Sequence, residues 1–322
     1  MITNSVESSA IFPLRDALSK HLVGHETLIE RMTIALLTGG HCLIEGPPGI
    51  AKTKTVNTFS QLLTLSFSRI QATPDLLPAD LTGTDVYRQE TGKFEFLSGP
   101  LFNQVILVDE INRAPPKVQS ALLEAMGERQ ITTGNTTRAL SKPFMVTATQ
   151  NPIEHEGTYP LPEAQLDRFM FHIELSLPSG SEEREILDHV LNGNIDNSTP
   201  LNPVMTVTEI QQSIEEVRNV HISSAVRDYI TRLVSATRGE GQGGEQAKDI
   251  EHAASPRGSI FLANAAQAKA WMLGRDHVQP ADVADLTPDV LSGRISLTYR
   301  ARADGKSTRA VIKAILDNTP VV

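Results

Sequence analysis

GPPGIAKT, residues 46–53, is the stretch of sequence that decides how this chain folds. A short apolar run at residues 41–44 precedes it and predicts a buried strand, and residues 54–65 follow it with apolar side chains at helical spacing. A loop between a strand and a helix start leaves unpaired backbone N–H groups directed at one point, where the helix dipole favours negative charge. The stretch therefore predicts a phosphate-binding loop.

The side chains of this loop have the chemistry that a nucleotide phosphate needs. Gly46 and Gly49 let the backbone approach a phosphate closely, and Lys52 brings a positive charge to the β and γ oxygens. The Thr53 hydroxyl is placed to bind the Mg²⁺ that accompanies them. Ala51 stands where the general pattern has glycine. Alanine tolerates helical dihedral angles, so the loop can still close if Ala51 is right-handed; a plain turn is the alternative for the motif alone. The other loop residues that we predict to bind nucleotide are Pro47, Pro48, Ile50, Ala51 and Lys54.

The composition describes an ordinary soluble globular protein, with 40% hydrophobic and 21% charged residues. The net charge of −9 gives no electrostatic reason to expect nucleic acid or an anionic membrane as a partner. The single cysteine, Cys42, cannot form an internal disulfide and falls in the predicted core strand. Residues 1–10 lack the features of a signal peptide, and no apolar run reaches membrane-spanning length, so we expect a cytoplasmic protein.

The first 177 residues alternate between strand and helix patterns, which predicts an α/β fold with a doubly wound parallel sheet. The VILV run at residues 105–108 predicts a central strand, because a continuous apolar run is typical of a strand covered on both faces. Two segments of alternating polarity, at about residues 84–97 and 131–142, predict hairpins inserted in this domain. A short amphipathic helix is predicted at residues 11–20.

The rest of the chain, residues 178–322, has a different pattern. After Pro178 only helical patterns follow, and polar connectors separate them at residues 191–203 and 239–251. Ser255 and Pro256 predict the N-cap and first position of a helix that extends to about Gly274. We therefore predict two domains, a nucleotide-binding core of residues 1–177 and a helical domain of residues 178–322.

Acidic and amide side chains follow two of the predicted strands. Asp109 comes directly after the VILV run and is expected to hold Mg²⁺, usually through a water molecule, and Glu110 is expected to polarise the attacking water. Asn151 ends the next strand, and its amide faces the γ-phosphate if that strand lies between those that precede Lys52 and Glu110. The alternatives are a pair of exposed acids and simple Asn-Pro turn chemistry.

Two arginines are candidates for contact with the transferred phosphoryl group. Such a transfer builds negative charge that a guanidinium from outside the pocket stabilises, typically by ~10³–10⁵ in rate. Arg168 lies just before the last predicted strand, and Arg257 is the second residue of the helix that starts at Pro256. The alternatives are an ordinary surface arginine and a structural salt bridge.

Four blocks of this sequence resemble the MoxR family of AAA+ ATPases. They are GPPGIAKT (46–53), VILVDEINRAPP (105–116), ATQNPIEHEGTYPLPEAQLDRF (148–169) and SPRGS (255–259). The resemblance covers roughly residues 11–315, and the block at 148–169 is long and specific. It implies a P-loop AAA+ αβα sandwich with parallel strand order 5-1-4-3-2 and a C-terminal α-helical lid. Members of this family often carry alanine where Ala51 stands, so the loop is expected to accept it.

The resemblance also implies a role for each candidate residue. Lys52 and Thr53 correspond to Walker A, and Asp109 and Glu110 to Walker B, so that ATP and Mg²⁺ are the expected ligands. Val23 and Gly24 match the segment that packs on adenine. The implied further roles are sensor 1 for Asn151, arginine finger for Arg168 and sensor 2 for Arg257, which acts on its own subunit's nucleotide or on the next one.

The function that the resemblance implies is ATP hydrolysis that drives chaperone-like remodelling, maturation or metal-cofactor insertion of a partner complex. It also implies a homo-oligomeric ring, most simply a hexamer, a partner with a von Willebrand factor A domain, and a client of unknown identity. The alternatives are a nucleotide-dependent scaffold or switch that does not remodel its partner, and the ATPase subunit of a metal-chelatase complex. Nucleic acid is the partner least favoured by the charge.

Overall fold

This computed structural model describes residues 14, 17–18, 24–134, 136–151, 157–191 and 201–321. Most of the helix predicted at residues 11–20 lies outside that range, although its described residues Leu14, Ala17 and Leu18 are helical. The chain divides into two compact units. The sheet unit comprises Pro13–Leu161 and Ile173–Ile210, and the helical unit comprises Pro162–His172 and Gln211–Val322. The domain boundary near Pro178 stays a prediction.

The elements of the chain alternate between strand and helix up to Glu174 and are mainly helical after it. The strands are β1 (Cys42–Glu45), β2 (Phe67–Gln71), β3 (Gly83–Arg88), β4 (Lys93–Ser98), β5 (Val105–Asp109), β6 (Gln130–Thr133), β7 (Thr136–Ala139), β8 (Met145–Gln150), β9 (Phe171–Glu174), β10 (Ile250–His252) and β11 (Ser296–Leu297). The α-helices are α1 (Glu26–Thr38), α2 (Lys52–Leu62), α3 (Pro78–Thr82), α4 (Pro116–Glu128), α5 (Glu163–Leu166), α6 (Gly180–Leu191), α7 (Val207–Arg218), α8 (Ser224–Ala236), α9 (Pro256–Met272), α10 (Pro280–Leu291), α11 (Tyr299–Ala303) and α12 (Thr308–Asn318).

Five strands form one sheet in the order β2-β5-β8-β1-β9. The pairs β2–β5, β5–β8 and β1–β8 are parallel. With these five strands counted along the chain, the order is the predicted 5-1-4-3-2 read from the other edge, so the resemblance is confirmed on this point. Every residue of β5 is buried, as its continuous apolar run predicts. The sheet brings the carboxyl ends of β1, β5 and β8 to one edge, where ligands bind in such folds.

Both predicted hairpins are present. β3 and β4 pair from Gly83–Ser98 to Arg88–Lys93, and β6 pairs with β7; residue 135, between β6 and β7, lies outside the described range. The aromatic residues of β4 divide between two environments. Phe96 packs edge-on against Phe102 and under the Arg138 guanidinium, whereas Phe94 is 74% exposed and contacts Tyr87.

The helical unit corrects one prediction. β10 and β11 form a two-stranded antiparallel sheet, so the expectation of helices alone after Pro178 is wrong. These strands have three and two residues, too few for a period-two pattern to be recognised. The predicted start of α9 is confirmed, because the Ser255 hydroxyl accepts from the Arg257 backbone N–H. Within the described part of the chain, no helix is long and apolar enough to cross a membrane.

Candidate functional site

The phosphate loop joins β1 to α2 with an unusual backbone. Ala51 is the N-cap of α2 and has φ 57° and ψ 22°, in the left-handed region. The condition set for closure from the sequence, a right-handed Ala51, is therefore not met. A residue with a Cβ costs roughly 1–2 kcal/mol in that conformation, which is the physical reason for the usual glycine. The loop closes here at the expense of that strain.

Lys52 lies inside the loop that it completes. Its Nζ donates a hydrogen bond of 2.7 Å to the Gly46 carbonyl oxygen. Burial lowers the pKa of Lys52, and the neighbouring carboxylates of Asp109, Glu110 and Glu45 oppose that shift. The Lys52 ammonium group is thus already positioned in the loop, where it can contact a phosphate that binds there.

The Asp109 carboxylate is the most buried acidic group of the site, with the residue 7% exposed. Thr53 Oγ1 donates to its Oδ2 and Thr149 Oγ1 donates to its Oδ1, both at 3.3 Å. The Arg69 Nε also donates to Oδ2, at 2.6 Å. Hydroxyl and carboxylate oxygens are the donors that Mg²⁺ prefers, so the pair of Thr53 and Asp109 fits that ion.

Glu110 is the second strained residue of the site, with φ 56° and ψ 50°. Its backbone N–H donates to Thr149 Oγ1 at 2.9 Å. Its carboxylate pairs with Arg113 Nε at 3.1 Å and accepts from Gln71 Nε2 at 3.4 Å. Strained backbone of this kind persists where the surroundings over-determine it, and functional sites are where it is usually found.

These groups surround one open cavity of about 410 Å³ in the sheet unit. β8 lies between β5 and β1, so the condition set for Asn151 is met, and this buried residue lines the cavity. Predicted residues that line it are Pro48, Gly49, Ala51, Lys52, Thr53, Lys54, Asp109, Glu110 and Asn151. Residues that line it without having been predicted are Arg69, Gln71 and Thr149.

The remaining predicted loop residues shape the cavity without lining it. Gly46 supplies the carbonyl that Lys52 contacts, and Ile50 is buried. His25, next to Gly24, forms a hydrogen bond with the Ile50 backbone, and burial lowers the pKa of His25. The segment after Gly24 therefore contacts the phosphate loop. Pro47 belongs to the same loop, and Val23 lies outside the described residues.

The two candidate arginines belong to the helical unit. Arg257 Nη1 contacts Asp167 Oδ2 at 2.8 Å, and the Ser255 hydroxyl donates to the same carboxylate. Arg168 is half-buried directly after Asp167. The salt bridge considered for Arg257 is thus present.

A further arginine that sequence reasoning missed, Arg294, fixes the backbone of that segment. Its side chain is buried, its Nε pairs with Asp167 Oδ1 at 3.2 Å, and its guanidinium donates to the Met170 and Phe169 carbonyl oxygens. Burial lowers the pKa of Arg294 to about 10, and Asp167 opposes the shift. The only sequence signal was a lone arginine in a helical pattern, which is too common to select it.

Comparison with known proteins agrees with this geometry. Residues 41–171 match the family model described as "ATPase family associated with various cellular activities (AAA)", and residues 245–315 match the AAA lid domain. Chaperone MoxR1 of Mycobacterium tuberculosis is 46% identical over 92% of this chain and 78% of its own. Protein MoxR of Paracoccus denitrificans is 31% identical over 94% of this chain and 92% of its own. A crystal structure from Cytophaga hutchinsonii is 44% identical with a TM-score of 0.89, and the match covers 97% of this chain and 95% of that one.

Proposed function

This chain belongs to the MoxR family of AAA+ ATPases and hydrolyses ATP, and from that premise we propose that it uses the hydrolysis to remodel a partner protein complex. The observation that carries the proposal is the cavity in which Lys52, Asp109, Glu110 and Asn151 converge. Glu110 and Arg168 both serve turnover, and turnover is the step on which remodelling depends. The relative from Mycobacterium tuberculosis is named a chaperone, which supports the same reading.

The phosphate loop binds the triphosphate of ATP. Lys52 exchanges its contact with the Gly46 carbonyl for the β and γ oxygens, and the backbone N–H groups at the start of α2 contribute the remaining donors. Thr53 and Asp109 hold Mg²⁺, which when bound neutralises charge on those oxygens. Gly24 and Val23 contact the adenine.

Glu110 is the group that orients the attacking water and accepts its proton. Its present contacts with Gln71 and Arg113 lie on its carboxylate, so it exchanges them when substrate and water arrive. Asn151, from the strand between β5 and β1, orients the same water with its amide. A positioned general base of this kind contributes roughly 10²–10⁴ in rate.

Arg168 and Arg257 supply the positive charge that phosphoryl transfer requires. Arg168 acts as the arginine finger on a neighbouring subunit's nucleotide, so the active form is a ring, most simply a hexamer. Arg257 is the sensor 2 residue. The partner is a protein with a von Willebrand factor A domain, and the remodelled client receives a maturation step such as metal-cofactor insertion.

Replacement Glu110→Gln tests this proposal. We expect the variant to retain ATP binding while turnover falls roughly 10²–10⁴-fold, and to fail to replace the wild type in cells. Glu124→Gln, an exposed residue of α4, is the matched control and keeps both activities. Full turnover by Glu110→Gln contradicts the role of Glu110. Lost turnover with full activity in cells contradicts remodelling and favours the nucleotide-dependent switch.

A further inference from the structure

Arg69 contacts the same carboxylate oxygen that faces the proposed metal ligand Thr53. Its Nε lies 2.6 Å from Asp109 Oδ2, and Thr53 Oγ1 lies 3.3 Å from that oxygen. The contact follows from the parallel pairing of β2 with β5, in which Arg69 stands opposite Leu107, two residues before Asp109. The Arg69 side chain is 52% exposed and lines the cavity, so it reaches the carboxylate from the solvent side.

A second hydrogen bond fixes the orientation of this guanidinium. Arg69 Nη2 donates to Gln71 Oε1 at 3.2 Å, and Gln71 Nε2 donates in turn to Glu110 Oε2 at 3.4 Å. Arg69 and Gln71 are two residues apart on one strand and thus share a face of β2. The guanidinium of Arg69 therefore bridges the Asp109 carboxylate and the Gln71 amide, and Glu110 orients that amide.

A guanidinium on Asp109 Oδ2 opposes a divalent cation held at the same oxygen, directly or through water, because like charges a few ångströms apart repel. We propose that Arg69 is a positioning residue that holds the Asp109 carboxylate before magnesium arrives and competes with the ion for it. The inference rests on the proposed role of Thr53 and Asp109 as magnesium ligands. Its consequence is that Arg69 sets the magnesium concentration at which the pocket tightens around nucleotide.

The decisive measurement is the magnesium dependence of nucleotide binding. N-methylanthraniloyl-ADP fluorescence is titrated on the full chain at a series of free Mg²⁺ concentrations, for the wild type and for Arg69→Met. We expect the half-maximal Mg²⁺ concentration to fall roughly three- to tenfold in Arg69→Met, because the ion no longer displaces a charged hydrogen-bond donor. Affinity measured in EDTA stays within about twofold, since Arg69 is bound to the carboxylate and not reserved for phosphate.

The chain offers a closely matched control in Arg88. Its side chain is 53% exposed and its Nε lies 2.8 Å from Glu95 Oε2, on the hairpin. Arg88→Met removes an equally exposed arginine that pairs through the same nitrogen with a carboxylate outside the cavity, and it is expected to leave the magnesium dependence unchanged. Arg69→Lys keeps the charge but loses the fork, so it should fall between wild type and Arg69→Met; it also replaces Arg69→Met if thermal unfolding shows that the latter does not fold.

The outcomes separate this inference from the proposed function. An unchanged or higher half-maximal Mg²⁺ concentration in Arg69→Met overturns the inference alone. Weaker binding in EDTA with an unchanged magnesium dependence does so too, and assigns Arg69 to the phosphates. If nucleotide binding by the wild type does not depend on magnesium, the proposed role of Thr53 and Asp109 as metal ligands is contradicted, and so is this inference.

Discussion

Ala51 and Glu110 adopt left-handed backbone within the same cavity, one at the start of α2 and one at the end of β5. Each of the two residues has backbone hydrogen bonds that accompany this conformation. Glu110 has a hydrogen bond from its N–H to the Thr149 hydroxyl that its conformation makes possible. The Ala51 carbonyl oxygen accepts hydrogen bonds from the Thr55 N–H and the Thr55 hydroxyl, so that the first turn of α2 forms despite the strain. In both residues these hydrogen bonds offset the energetic cost of left-handed backbone in a residue that has a side chain.

Replacement Ala51→Gly tests the strain at this residue. Glycine removes the left-handed penalty of roughly 1–2 kcal/mol but adds about 0.5–1 kcal/mol of backbone entropy to the unfolded chain. We therefore expect the free energy of unfolding to stay unchanged or to rise by up to about 1.5 kcal/mol, and ATP binding to be retained. Urea titration followed by circular dichroism measures the first quantity.

The control for this change is Ala121→Gly, because Ala121 is half-buried inside the right-handed helix α4 of the same unit. Glycine there relieves nothing and is expected to lower the free energy of unfolding by about 1 kcal/mol. Equal losses in the two variants would mean that Ala51 is right-handed in solution.

Sequence reasoning found the residues of the site that have a local signal. Lys52, Thr53, Asp109 and Glu110 each follow an apolar strand within a few positions, and the structure brings them together at one sheet edge. Arg69 has no such signal, because only the pairing of β2 with β5 brings it to Asp109. The conformation of Ala51 was also missed, since sequence pattern identifies where a loop closes without fixing the dihedral angles by which it does so.

At the scale of elements, strands were predictable where burial on both faces makes them continuous apolar runs. β5 has that character, and so does most of β1, whereas the order of the strands in the sheet followed from the family resemblance. The hairpins were predictable because alternation and a Gly-containing turn coincide. β10 and β11 were not, since strands of three and two residues are too short to show an alternating pattern. Their pairing also joins residues more than 40 positions apart, as the His252–Ser296 hydrogen bond shows.

His41 joins two elements across the core of the sheet unit. Its Nδ1 accepts from the Val146 N–H of β8 at 3.0 Å, and its Nε2 lies 3.4 Å from the Met126 carbonyl of α4. Only the neutral ring with its proton on Nε2 satisfies both partners, because the Val146 N–H needs an acceptor. Burial lowers the pKa of His41 to about 4.

This contact makes the stability of the sheet unit depend on pH. The folded pKa of about 4 lies below the unfolded value of 6.5, so the stabilisation is complete above about pH 6.5 and is lost as the pH falls towards 4. The full loss corresponds to about 3 kcal/mol. His41→Gln, which does not titrate, is expected to flatten the slope of unfolding free energy between these pH values.

Urea titrations at several pH values measure that slope. His277→Gln is the control, since His277 is an exposed ring whose hydrogen bond lowers the pKa of Asp276 from 3.8; its replacement should alter the slope only towards pH 4 and leave it unchanged near pH 6. A slope in His41→Gln equal to that of the wild type would show that other groups carry the pH dependence.

The molecule as a whole has one triphosphate cavity in the described residues of the sheet unit and a candidate finger, Arg168, in the helical unit. If Arg168 acts on a neighbour, a complete active site requires two chains. Identical head-to-tail contacts that supply such a group repeat from chain to chain, and they close into a ring when the rotation between neighbours allows it. Each site that hydrolyses ATP then lies at an interface between two chains. A chain that lacks one of the required groups can still take part in a complete site if its neighbour supplies that group.

Mixing two inactive variants tests this repair. Glu110→Gln lacks the group that activates water, and Arg168→Ala lacks the finger, so each pure variant is expected to be inactive. In a random mixed ring about one site in four combines an intact Glu110 with a neighbour's intact Arg168, and roughly a quarter of the wild-type ATPase rate should return. The double variant mixed with Arg168→Ala is the control and stays inactive, because no chain then offers Arg168. Full turnover by Arg168→Ala alone would show that Arg168 is not the arginine finger. If the mixture recovers no activity, Arg168 acts on the nucleotide of its own chain.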